Sequence, residues 1–148
     1  MQMETHHQKR ETLRDKKDWI LLDSGSSVGL FHNRNLVKNV KKTDRLLELA
    51  TNVGTRRNDT VAEVPAYGEV WFDQDAIANV FSLAEMVDQY RVTFDSAIED
   101  AFHVHLPDKV IKFKRSPEGL YFYPVSEEYK DTMKKSTVMI TLNQHRVM

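Results

Sequence analysis

The sequence predicts a mainly β domain carrying one short helix, on three observations. Residues 69–72, 90–94, 102–105, 110–114 and 120–123 are short runs rich in aromatic and β-branched side chains, the composition that suits a pleated surface. Turn formers separate several of them: Asp73-Gln74-Asp75, Pro107-Asp108 and Ser116-Pro117-Glu118-Gly119. One stretch alone has helical periodicity. Leu83, Met86, Val87 and Tyr90 recur at i, i+3, i+4 and i+7, and Ser82 stands three residues before Glu85, as in a capping box. The first strand comes earlier, at residues 19–22. Its four consecutive apolar side chains suit a strand covered on both faces, and it stops at Asp23-Ser24-Gly25-Ser26-Ser27.

The 148 residues suffice for one domain, and 41% of them are hydrophobic. Residues 1–17 are charged, with only Met1, Met3 and Leu13 as large apolar side chains, and are expected to be a tail rather than a signal peptide. Residues 18–125 hold nearly all the aromatics and form the expected domain. Residues 126–148 are expected to be a linker or tail. No internal repeat is visible. With no cysteine, disulfide scaffolds, thiol nucleophiles and zinc ribbons are excluded, and an intracellular compartment is the expectation. Lys and Arg total 21 against 22 Asp and Glu, which provides no global attraction for nucleic acid or anionic lipid. The longest apolar run is far shorter than the roughly 20 residues a membrane helix needs.

The main chemical candidate is Asp23. A buried strand delivers this carboxylate to the edge of the core, Gly25 permits close backbone approach, and the Ser24 and Ser26 hydroxyls can hold the carboxylate in one orientation. Taken alone, Asp-Ser-Gly also suits an ordinary turn after a strand. His103 and His105 fall on one strand face without a third metal ligand, which favours two exposed polar positions. His6-His7 lies in the tail. Arg56-Arg57 and the Lys38 to Arg45 run lack interleaved aromatics and read as solvated surface, so nucleic acid is not an expected partner.

Residues 19–27 (WILLDSGSS) resemble the catalytic motif of retropepsin-like aspartic proteases, in particular those of copia-type retrotransposon Gag-Pol polyproteins. Further stretches are similar in order and spacing. Tyr67-Gly68-Glu69-Val70 resembles the G-x-G-x-V strand, with Ala66 or Tyr67 where the first glycine often lies. Residues 77–83 resemble the N-(L/I)-(L/I)-S-(V/L) segment, residues 90–96 the Y-x-V-T-F-D-S strand, and residues 119–121 the closing G-L-Y. Ser82 stands where many retropepsins have glycine, as in copia-type members; residues 33–39 depart from the histidine-containing pattern common there.

The resemblance implies a retropepsin-like closed barrel with one short helix, and an aspartic endopeptidase whose substrate is its own Gag-Pol precursor. It implies no cofactor and no metal. Such proteases hold one water between two aspartates that share a proton. One Asp-Ser-Gly in a chain this short requires a second copy, so a homodimer with Asp23 at its two-fold axis is expected. Asp95-Ser96-Ala97 lacks the glycine and is expected only to end a strand. A hairpin with its tip at Asn52, Val53 and Gly54 would cover the substrate, and Ile77 would line a specificity pocket; an ordinary hairpin turn at residues 51–54 remains the alternative. The expected location is the cytoplasm or the virus-like particles such elements form. The other reading is a non-catalytic assembly module that keeps the fold and the dimer contact.

Overall fold

The computed structural model describes residues 16–51 and 53–125. Residues 1–15 of the expected tail at 1–17, the C-terminal segment 126–148 and the candidate flap residue Asn52 lie outside the described residues. Among the described residues, ten strands and one α-helix follow in order: β1 (Trp19–Asp23), β2 (Leu30–Phe31), a 3-10 turn (Arg34–Leu36), β3 (Lys38–Thr51), β4 (Gly54–Val64), β5 (Gly68–Phe72), β6 (Asn79–Ser82), α1 (Leu83–Gln89), β7 (Arg91–Asp95), β8 (Glu99–His105), β9 (Val110–Arg115) and β10 (Tyr121–Pro124). The domain is therefore mainly β with one short helix.

All ten strands form one sheet in the order β3-β4-β5-β2-β6-β1-β10-β9-β8-β7. The expected closed barrel is corrected, because β3 and β7 each end the sheet and do not pair with each other. The sheet instead curls onto a shared core: Val64 and Val70 of β4 and β5 cluster with Phe81, Met86, Val104 and Phe113. Side chains tie the β4–β5 turn to β6 and to the end of α1. The Tyr90 hydroxyl donates to the Ala66 carbonyl (2.8 Å), and the Tyr67 ring packs on Phe81 at 4.1 Å between centroids.

The first strand also differs from expectation. Ile20 and Leu22 are buried, whereas Trp19 and Leu21 are half-buried. A second layer does not cover the outer face of β1. Trp19 is instead covered locally, by the stacked Phe122 ring at 3.5 Å and by the Lys16 ammonium 4.3 Å from its ring centroid. Lys16 also pairs with Glu118 (2.6 Å), and the Lys17 carbonyl accepts from Asn33 and Asn79. The folded body thus includes two residues assigned to the tail from sequence.

Helix α1 begins where its capping signal predicts. The Ser82 side chain accepts from the Glu85 N–H (3.3 Å), but Glu85 does not complete the box; its carboxylate accepts from the Tyr67 hydroxyl at 3.3 Å. Burial and the adjacent Glu85 carboxylate together push the Tyr67 hydroxyl pKa upward. Met86 is buried and Val87 is 55% exposed. A helix of seven residues presents only its Leu83–Met86–Tyr90 side to the core, which leaves Val87 on the flank.

Ala66, in the turn between β4 and β5, has φ of 69°, a left-handed conformation that its Cβ disfavours by about 1 kcal/mol. Ala66→Gly removes that penalty and adds a smaller entropy cost in the unfolded chain. It is expected to stabilise the domain by about 0.5 kcal/mol, read as a higher urea midpoint with an unchanged m-value.

Candidate active site

Asp23 is the last residue of β1, with its Cα in register with Ser82 on the parallel strand β6. Beyond it, residues 24–28 leave the sheet and return as β2, which pairs with β6 on its other side. This segment therefore arches over the end of β6, at the point where α1 starts. The arch lands tightly. A Cβ at the buried Gly29 would lie 3.1 Å from Val70 Cγ1 and 3.4 Å from the Val80 carbonyl oxygen, so Val70 would have to give by a few tenths of an ångström.

Within the arch, the Gly25 N–H donates to Asp23 Oδ1 at 2.8 Å, and a Cβ on Gly25 would sit 3.3 Å from the same oxygen. The glycine thus brings its own backbone donor up to the carboxylate. The serines behave otherwise than expected. Ser26 donates its hydroxyl to the Val28 carbonyl (2.6 Å), bracing the arch rather than the carboxylate, and Ser24 is exposed. Asp23 itself is exposed in the single chain rather than set into the core edge. Its outward oxygens remain accessible to water and to a second molecule.

Asn79 anchors this arrangement from beneath. It is fully buried, and its side chain makes four hydrogen bonds: Oδ1 accepts from the His32 and Asn33 N–H groups (3.1 and 3.0 Å), while Nδ2 donates to the Lys17 and Trp19 carbonyls (2.8 and 3.0 Å). One side chain therefore ties the entry to β1, the exit from β2 and strand β6 together. Sequence reasoning placed Asn79 in a motif but missed this role. A polar residue opening an otherwise apolar strand, Asn79-Val80-Phe81, is the signal that pointed to it.

The other site candidates lie elsewhere. Thr51 pairs with Gly54 where β3 turns into β4. Val53 is 98% exposed there, and Gly54 has φ of 133°, which only glycine adopts readily. Ile77 is 61% exposed in the connection between β5 and β6. A contact that the sequence did not suggest links the arm to that connection: Arg56 on β4 pairs with Asp73 (2.7 Å) and Asp75 (3.6 Å). Between them lies a cleft of about 530 Å³, lined also by Lys41, Arg34 and the Phe72 ring over which the Arg34 guanidinium sits. Asp95 ends β7 at the far edge of the sheet, separated from β1 by β10, β9 and β8, and accepts from the Ala97 N–H.

The basic residues read as solvated surface face acids: Lys42 pairs with Asp59, Arg45 with Glu69 and Arg57 with Glu48. His103 and His105 share a face with ring centroids 6.4 Å apart; His103 meets Glu99 (3.0 Å) and His105 meets Thr93 (2.8 Å). Among the described residues, no group of three or more His, Cys, Asp or Glu side chains could hold a metal ion, and no helix is long and apolar enough to cross a membrane.

His32, next to the Asn79 anchor, has a buried Nε2 without a hydrogen-bond partner among the described residues, and burial lowers its pKa below the ordinary 6.5. The unfolded chain therefore takes up this proton at a higher pH than the folded chain. Stability contributed by the neutral ring is present above about pH 6.5 and declines as pH falls toward the lowered folded value. His32→Leu is expected to show a smaller loss of stability between about pH 7 and pH 5 than the parent, as measured by urea midpoints at each pH.

No family model matches the chain, and neither curated proteins nor solved structures give a match.

Proposed function

We propose that the chain is a retropepsin-like aspartic endopeptidase that cleaves peptide bonds as a homodimer, with one Asp23 from each copy. The observation that carries this reading is the Asp23 arch: an exposed carboxylate at the end of a central strand, held by the Gly25 N–H and braced by Ser26 against Val28. Two such carboxylates facing across a two-fold axis repel each other unless they share one proton. The unprotonated partner then takes a proton from water as the water attacks the scissile carbonyl, while the protonated partner donates to the carbonyl oxygen. The Gly25 N–H keeps one carboxylate oxygen oriented, leaving the other to face the water. The β3–β4 hairpin is tied by Arg56 to the connection that carries Ile77. The proposed substrate is the Gag-Pol precursor of a copia-type element.

The test is cleavage of an unstructured peptide library by purified protein across pH and protein concentration. Activity is expected to peak at mildly acid pH, because cleavage fails when the pair loses its shared proton and when it gains a second. It is also expected to rise more steeply than linearly with protein concentration until the dimer saturates. The absence of cleavage under every condition would overturn the reading. One observation favours a second reading, a non-catalytic assembly module: the Ser26 hydroxyl is committed to Val28 instead of supporting the carboxylate. That module would self-associate without hydrolysing any peptide.

A further inference from the structure

The open sheet has two outer edges, and they differ in character. The β3 edge carries Lys38, Lys41 and Lys42 and is interrupted by two register shifts, devices that keep exposed strands from pairing with other chains. The β7 edge has no lysine. Its five residues, Arg91-Val92-Thr93-Phe94-Asp95, read symmetrically about Thr93: a cation and an anion at the two ends, apolar residues inside them, and a hydroxyl at the centre. We propose that the outer edge of β7 pairs antiparallel with β7 of a second copy of this chain, in register about Thr93.

In that register, Arg91 lies opposite Asp95 of the second copy and Asp95 opposite its Arg91, so two ion pairs form by symmetry. Val92 and Phe94 face each other twice, and the two Thr93 side chains, each with its hydroxyl already at 2.8 Å from His105 of its own chain, meet at the axis. Opposite charges, aromatic with β-branched and threonine with threonine are the cross-strand pairs that stabilise antiparallel strands. Any other antiparallel register loses the ion pairs, and a parallel one sets Arg91 beside Arg91. The surface beside the strand fits an interface. Phe94 is 42% exposed and Ile98 81% exposed, and both line a shallow cleft with Arg91 and Asp95. Among the described residues, no carboxylate pairs with Arg91. Asp95 spends one carboxylate oxygen on the Ala97 N–H, and its other oxygen can accept a guanidinium.

The pairing is short, and a register shift between Thr93 and Asp95 on the β8 side bounds it, so the contact is weak and acts at high local concentration. It is separate from any contact at Asp23, since three strands lie between β1 and β7.

The chain has no cysteine, so a single introduced thiol reports on the register without background. Residues directly opposite in an antiparallel pair have Cα atoms about 4.5–5.5 Å apart, within disulfide reach. Thr93→Cys under mild oxidation is expected to form a disulfide-linked dimer at least about fivefold faster than Asp108→Cys, a control in the exposed β8–β9 turn. Adding Arg91→Glu, which sets two carboxylates against each other on both sides of the axis, should slow cross-linking about fivefold. Adding Asp95→Arg to that variant should restore the rate to within about twofold, and Asp23→Asn should leave it unchanged. Cross-linking no faster than the control, as when another segment of the chain covers the edge, overturns the proposal. So does a rate indifferent to Arg91→Glu, or one that Asp95→Arg fails to rescue.

Discussion

Asp23→Asn is expected to abolish peptide cleavage, by at least about a thousandfold, while leaving the folded domain intact. The amide keeps the size of the carboxylate, and its carbonyl oxygen still accepts the Gly25 N–H (2.8 Å in the parent), so the arch keeps its shape. What the variant loses is the shared proton. In a homodimer both copies change together, leaving neither a base for the water nor an acid for the carbonyl. Because Asp23 is exposed, the substitution buries no unpaired group, and the urea midpoint should move little. Equal cleavage by parent and variant would assign the activity to a contaminant and overturn the protease reading. A variant that is inactive because it is unfolded would be recognised by its lost cooperative transition.

The largest expected effect on stability is at Asn79. Asn79→Ala strips partners from the N–H groups of His32 and Asn33 and removes a donor from the Lys17 and Trp19 carbonyls, all at the centre of the sheet. Each lost bond to these part-buried backbone groups costs about 0.5–1.5 kcal/mol, so the expected loss is about 2–5 kcal/mol, a large share of a typical domain's stability. Asn79→Asp should also be destabilising for a different reason: it keeps the acceptor but points an anionic oxygen at two carbonyl oxygens. Urea denaturation of both variants checks this. A loss below about 1 kcal/mol in both would show that water replaces the side chain at this junction. Because the same bonds hold the strand that delivers Asp23, activity should fall with stability at Asn79, in contrast to Asp23→Asn.

These two residues mark how far the chain is legible without its fold. Strand positions 69–72, 102–105 and 110–114 could be read because side-chain alternation and turn chemistry are local properties of a few neighbouring residues. The Ser82 cap was legible for the same reason. The long strands of the β3–β4 hairpin were not: 38–45 reads as a charged surface, and the backbone ladder that orders it uses groups common to every residue. Asp23 could be picked out by its motif, yet the expected serine support for its carboxylate gave way to the Gly25 N–H. Which donor reaches a carboxylate depends on turn geometry of tenths of an ångström, which residue types do not encode.

By itself, the sequence determined the secondary-structure class, the position of the one helix and the residue at the end of the first strand, since each follows from local periodicity and capping. Only the tertiary structure decided that the sheet stays open, that Arg56 meets Asp73 across the cleft, that Asn79 joins three segments, and that β7 lies at an outer edge of the sheet. Those outcomes depend on groups far apart in the chain, brought together by burial of a common core. Hydrophobic burial rewards any arrangement that excludes water, so pattern alone leaves several open; buried hydrogen bonds and close contacts such as Gly29 against Val70 select one of them.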